Sequence, residues 1–294
     1  MPGTGDGHRE LARRISAVAG ADVRDLRATG AQHGWRHYAV TLASGREAFA
    51  KVSGTDTGPA FDAEARGLRW LAEAEAVPIP EVLGWDSRVL VLSWVAPGPA
   101  HADAAGSFGR ELARMHAAGA VGFGAPWPGF IASLPLDNTP WPVDRGWAEW
   151  YAERRVLPYL RHAADAGTLS PADARLVETV TGRISELAGP AEPPSRIHGD
   201  CWTGNVLWSG GRGWLIDPAA HGGHRETDLA MLALFGAPHL ERILRGYTEA
   251  APLADGWRAR VPLHQLHPLL VHVCLFGAGY RDAALAAARA VLSA

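Results

Sequence analysis

The sequence predicts an α+β fold in two lobes: a small β-rich N-terminal lobe with one key helix, residues 1–95, and a larger, mostly helical C-terminal lobe, residues 96–294. Three observations predict it. Strand-like runs crowd the first third of the chain, at 35–40, 47–52, 81–85 and 88–95. Ala96-Pro97-Gly98-Pro99 then interrupts regular structure. Beyond that break apolar residues recur at helical spacing, except in one hairpin-like block around 205–217.

Composition narrows the classes of function. With 294 residues, 47% apolar and 20% charged, the chain can bury a substantial core. A net charge of −3 leaves no electrostatic footprint for nucleic acid or an anionic membrane. Two cysteines, Cys201 and Cys274, make no disulfide framework, so the expected home is the reducing cytoplasm. Residues 1–7 lack the apolar core of a signal peptide, and no run is expected to span a bilayer. A monomer is the favoured state.

In chain order, Leu11, Ile15 and Val18 predict a helix over 8–18. The stretch 29–40 reads as a Gly-bearing turn, with Gly30 and Gly34, running into a strand, the shape of a phosphate-covering hairpin. The next strand carries Lys51 among small and apolar neighbours. Asp56, Thr57, Gly58 and Pro59 start a helix whose inward stripe is Phe61, Ala65 and Leu68. Glu64 falls on that same stripe, where a lone carboxylate would be costly, and an ion pair with Lys51 would resolve both anomalies. Two strands follow, and the backbone of Ser93 and Val95 lies beside the Pro/Gly hinge. Past it, Phe108, Leu112, Met115 and His116 share a helical stripe, with His116 read as a core histidine. A long loop over 122–142 is expected to pack over a site. Helices are predicted over 144–162, 171–187, 227–235, 240–250, 263–276 and 280–292.

The chemistry concentrates in His198-Gly199-Asp200-Cys201-Trp202-Thr203-Gly204-Asn205 and the hairpin after it. A turn centred on Gly211 would set Val206 opposite Ile216 and Asn205 opposite Asp217, two oxygens converging on one hard cation such as Mg²⁺. Asp200, five residues before Asn205, stands at the offset that separates catalytic base from metal-binding Asn in protein-kinase catalytic loops. A loose, highly charged phosphoryl-transfer transition state needs this set: cation on the phosphate oxygens, carboxylate on the attacking hydroxyl.

Taken together, His-Gly-Asp-x-Trp-x-Gly-Asn-x-Leu-Trp at 198–208, Trp-Leu-Ile-Asp-Pro-Ala at 214–219 and Gly-His-Arg-Glu-x-Asp-Leu-Ala-Met at 223–231 resemble the fructosamine kinase (ketosamine-3-kinase) family. That family belongs to the aminoglycoside-phosphotransferase branch of the protein-kinase-like fold. The resemblance implies that Asp200 is the catalytic base and that Asn205 and Asp217 bind Mg²⁺. It puts Lys51, held by Glu64, on the α/β-phosphates of ATP, with the Ser93 and Val95 backbone at adenine and Gly34 in the covering turn. It makes His198 and Asp228 supports of the catalytic loop, and it suggests Trp202, His224 and Glu226 as grips on the acceptor. Family members phosphorylate a sugar hydroxyl of fructosyl- or ribulosyl-amines, reversing protein glycation. Departures from the family pattern occur at Cys201, at Thr203 and at Ala220-His221, the last of which bears on the acceptor pocket. The competing readings are an aminoglycoside or choline-type phosphotransferase, a metal-dependent hydrolase using His198, Asp200 and the histidines of 264–272, and a non-catalytic nucleotide-binding module.

Overall fold

The computed structural model describes residues 4–32, 34–142 and 145–293. Its first third is an antiparallel five-stranded sheet, β1 (Val23–Gln32), β2 (Trp35–Leu42), β3 (Glu47–Val52), β4 (Val82–Trp85) and β5 (Val89–Ser93), in the order β1-β2-β3-β5-β4. Helices α1 (Thr4–Ala19) and α2 (Ala60–Ala72) cover its two faces. Strand parity assigns the residues: Val89 and Val91 pack with Ile15 of α1, whereas Leu90 and Leu92 pack with Phe61, Ala65 and Leu68 of α2. In β3, Ala48 and Ala50 face α1, so Phe49 and Lys51 face α2. The pleat thus sends Lys51 toward Glu64. Strand β1 was not expected over its full length, because only Leu26 of its ten residues is buried and an exposed edge shows little alternation. The expected helix start at 144, His33 of the Gly-bearing turn and residues 1–3 lie outside the described residues.

The rest of the described chain is mostly helical, with short strands where the chemistry lies. Helix α3 (Ala102–Ala117) is followed by the small hairpin β6 (Gly129–Ile131) and β7 (Leu134–Leu136), set within the long loop. Then come α4 (Trp147–Tyr151), a π-helical turn over Ala152–Val156, α5 (Leu157–Asp165), α6 (Pro171–Gly182) and α7 (Ile184–Leu187). Strands β8 (Ser195–Ile197), β9 (Val206–Ser209), β10 (Arg212–Leu215) and β11 (His221–Gly223) form two antiparallel pairs, β8 with β11 and β9 with β10. Helices α8 (Glu226–Leu234), α9 (Leu240–Ala250), α10 (Trp257–Phe276) and α11 (Arg281–Ser293) complete the described chain. The π turn divides what the periodicity showed as one helix. Helix α10 also starts before the expected boundary, with Pro262 inside it.

The stretch Trp257–Ser293 is, by length and apolar composition, long enough to cross a membrane, contrary to the sequence expectation. It is two helices broken at Gly277, and Leu263, Leu266, Leu270, Val273, Ala284 and Val291 pack into the helical core with Trp150 and Tyr151.

The hairpin register differs by one residue from the expected one. Val206 pairs with Leu215 and Trp208 with Gly213, so the loop is Gly210-Gly211, both at positive φ (55° and 74°), the geometry a two-residue hairpin loop demands. Asn205 therefore aligns with Ile216, whose N–H donates to the Asn205 carbonyl at 3.1 Å, and not with Asp217. A slip of one residue would invert the faces of a continuous ladder. Here Asn205 ends a 3₁₀ turn and Asp217 sits in the left-handed region (φ 53°), so both have left the ladder and still border the same two cavities.

Candidate active site

The β8–β11 pair opens onto His198-Gly199-Asp200, and α8 returns to brace it. Asp228, buried in the first turn of α8, accepts the His198 N–H at 2.8 Å and the Gly199 N–H at 2.9 Å. His116 lies 3.0 Å from the same carboxylate and 2.8 Å from the Tyr247 hydroxyl, a satisfied core histidine. Burial alone would raise the Asp228 pKa, but His116 and the His198 backbone bring it below the ordinary value. His198 Nε2 faces the Ile216 carbonyl at 2.9 Å, which can only accept, so Nε2 carries the proton and Nδ1 accepts the Asp200 N–H at 3.2 Å. Burial holds this imidazole neutral. Gly199 is at φ 79°, and a Cβ there would stand 2.3 Å from the Ala219 carbonyl.

Asn205 points its amide nitrogen at Asp200, 2.9 Å from both the Asp200 carbonyl and Oδ2, so its Oδ1 is directed away from Asp200. Burial pushes the Asp200 carboxyl up to about 7, with Asp217 adding to the rise and the Asn205 hydrogen bond opposing it. Lys51 Nζ donates to both Glu64 oxygens at 2.8 Å and to Asp217 Oδ1 at 2.8 Å, and lies 5.0 Å from the centre of the Trp35 ring. Burial favours its neutral form, but Asp217 and Glu64 outweigh that and hold it charged. Two carboxylates thus surround one ammonium, and Asp200, which feels the Asp217 charge, adds a third acidic group nearby. That negative excess, with carboxylate and amide oxygens as donors, fits a hard divalent cation such as Mg²⁺. The left-handed backbone at Asp217 is the kind of strain that functional sites retain.

Two cavities meet here. One, about 250 Å³, lies under the sheet and is lined by Phe49, Lys51, Leu92, Ser93, Val95 and Leu207 among others. The other, about 320 Å³, is lined by Asp200, Trp202 and residues of the 122–142 loop. Gln32, Glu64, Asn205 and Asp217 border both. Lys51 belongs only to the first and Asp200 only to the second. The Ser93 N–H is already committed to the Glu81 carbonyl at 2.8 Å.

The structure corrects two expected acceptor grips. His224 and Glu226 line neither cavity and are buried, at 3% and 2% exposure. Arg260 takes both Glu226 oxygens, at 2.6 and 3.0 Å, and Trp147 lies against His224 and His264 with ring centres 4.8 and 4.6 Å away. His224, Glu226 and His264 offer atoms within 4.8 Å of one another, a spacing that could hold a metal, but the guanidinium already neutralises the carboxylate. Gly34 lines neither cavity, although its neighbour Trp35 does.

Several lining residues were not singled out from sequence. Asn138 is one: Arg155, presented by the π turn, donates to its Oδ1 at 2.7 Å and to the Asp137 carbonyl at 2.6 Å, tying the loop to the helical core. Burial lowers the Arg155 pKa to about 9. Others are the aromatics Trp127, Phe235, Phe276 and Tyr280; His272, read from sequence only among the histidines of the hydrolase alternative, and Phe130 line the same cavity.

The family model for fructosamine kinase matches residues 8–294. The chain belongs to the fructosamine kinase family. It is similar to a Thermobifida fusca protein whose crystal structure is described as that of a "putative fructosamine-3-kinase", with 54% identity, a TM-score of 0.93 and 97% and 99% of the two chains covered. It is 33% identical over 244 residues to "Probable ketoamine kinase YniA" of Escherichia coli K12, covering 80% of this chain and 81% of that one. A macrolide 2′-phosphotransferase of Brachybacterium faecium, 17% identical with a TM-score of 0.62 over 95% and 96% of the chains, shares the fold. As a member of this family the chain is a phosphotransferase of the protein-kinase-like fold, as the resemblance implied.

Proposed function

We propose that this chain transfers the γ-phosphoryl group of ATP to a sugar hydroxyl of a ketoamine, a fructosamine or ribulosamine. One observation carries the reading: Asn205 and Asp217 stand at the border of two cavities, with Lys51 on one side and Asp200 on the other. ATP occupies the cavity under the sheet. Its adenine lies between Phe49 and Leu92 above and Leu207 below. Because the Ser93 N–H is spent within the sheet, adenine meets the Ser93 carbonyl and the Val95 N–H. We take the linker at 96 as the division between a nucleotide lobe and an acceptor lobe.

Lys51, held by Glu64, binds the α/β-phosphates. Asn205 and Asp217 would hold Mg²⁺, which neutralises phosphate oxygens when bound. Asp200 accepts the proton of the acceptor hydroxyl as that oxygen forms a bond to the γ-phosphorus, and the β–γ bridge breaks to leave ADP. Trp202, two residues on, supplies a face for the sugar. Asp228 and His198 fix the loop through its backbone. The site is complete within one chain, so a monomer suffices. Buried Cys201 and unpaired Cys274 suit a reducing compartment such as the cytoplasm.

The test is ADP release from ATP and Mg²⁺ with a panel of acceptors: fructosyl-lysine, ribulosyl-lysine, kanamycin and choline. Turnover confined to the two ketoamines is expected. Preferential turnover of kanamycin or choline would overturn the acceptor assignment, and phosphate release without any acceptor would favour a hydrolase.

A further inference from the structure

The acceptor cavity carries more aromatic surface than a sugar needs, and the surplus lies on one wall leading away from Asp200. Trp202 and Phe235 have ring centres 5.7 Å apart, Phe235 and His272 5.1 Å, His272 and Phe276 5.4 Å, and Phe276 and Tyr280 5.9 Å. Tyr280 closes back on His272 at 4.7 Å. All five rings line the cavity. His272 and Phe276 are one turn apart on α10, Tyr280 follows the break at Gly277, and His272 is fixed by its Nδ1–H donating to the Pro268 carbonyl at 2.7 Å.

This wall is only partly packed: Tyr280 lies against the helical core, but the rim is open. Phe276 is 56% exposed, one of the few large apolar side chains left open among the described residues. Nor does it offer charge: the acidic residues lining the cavity are Glu64, Asp200 and Asp217, all at the reacting end. A positively charged group in the outer half meets aromatic rings, whose faces attract cations and repel carboxylates, and no Lys or Arg is among the described residues that line the cavity to draw a carboxylate there. A ketoamine has that polarity built in, since its sugar head bears the reacting hydroxyl and its nitrogen carries a protonated, often aliphatic, arm.

Resting on the reading of this chain as a ketoamine kinase, we propose that Phe235, His272, Phe276 and Tyr280 form the subsite for the amine-bearing arm of the acceptor. The subsite selects cationic and aliphatic arms over anionic ones. The sugar lies against Trp202 beside Asp200, the nitrogen passes Phe235 and His272, and the arm leaves the cavity past Phe276 and Tyr280. The open rim at Phe276 lets that arm continue into a peptide.

Three acceptors with one fructosyl head and arms of matched length test this: fructosyl-1,5-diaminopentane, fructosyl-pentylamine and fructosyl-6-aminohexanoate. The expected result is a similar kcat for all three, with KM lowest for the diamine and about tenfold higher for the carboxylate. Phe276→Ala/Tyr280→Ala should bring the three KM values together and leave KM for ATP unchanged, whereas Phe276→Tyr should keep the discrimination. Equal KM values in the unaltered protein, or a ratio that survives the double substitution, would overturn the subsite. Failure of every fructosyl head, whatever its arm, would instead overturn the ketoamine reading and the subsite with it.

Discussion

Asn205 donates its side-chain amide to Asp200, with Nδ2 2.9 Å from Oδ2, and this bond turns the amide oxygen away from Asp200. A carboxylate at 205 could not donate, and it would set a like charge beside Asp200. Asn205→Asp is therefore expected to lower kcat by about 100-fold, the cost of displacing a reacting group by roughly 1 Å, with the fold intact. Steady-state kinetics beside a circular-dichroism melt checks it. An unchanged kcat would show that the amide does not position the base.

Lys51 is held by two carboxylates rather than one, and Glu64 makes two of the three contacts. Glu64→Gln should leave Lys51 paired with Asp217 but free to swing. Hydrogen bonds to charged groups contribute about 1.5–3 kcal/mol, so kcat/KM for ATP is expected to fall by about 10- to 100-fold. Acceptor KM should stay close to that of the unaltered protein. A loss confined to acceptor KM would place Glu64 on the wrong side of the site.

Glu226 supports the fold, not the acceptor. Burial would raise its pKa, yet His264 and Arg260 hold the carboxyl down at about 2 against an ordinary 4.5. A depressed pKa contributes stability that is complete above about 4.5 and is lost as pH falls toward 2. Glu226→Gln leaves Arg260 buried with a neutral partner, a break that costs about 3–5 kcal/mol. Urea denaturation should show this loss at pH 7 and a shrinking difference from the unaltered protein below pH 4. A specific rise in acceptor KM without loss of stability would restore the acceptor role.

Much of this site could be read from residues close in sequence or locked by periodicity. The pairing of Lys51 with Glu64 followed from strand and helix parity, and both were legible. The placement of Asn205 and Asp217 at one site was reached through a wrong register: Gly210-Gly211 makes a two-residue loop, and the two residues come to border the same cavities through a 3₁₀ turn and a left-handed residue that alternation does not encode. His224 and Glu226 were misplaced because the group that neutralises Glu226, Arg260, lies 34 residues further on, and its burial has no local signature. His272, Phe276 and Tyr280 show helical spacing, which sequence reads as core. Only the fold turns that stripe toward a cavity.

The most direct test is Asp200→Asn, assayed in parallel for ketoamine phosphorylation and for ADP binding by calorimetry. Removing a positioned base should lower kcat by about 10²- to 10⁴-fold while ADP affinity stays within a factor of two or three. Phosphorylation at the unaltered rate by that variant would contradict the assignment of Asp200 as the group that takes the proton.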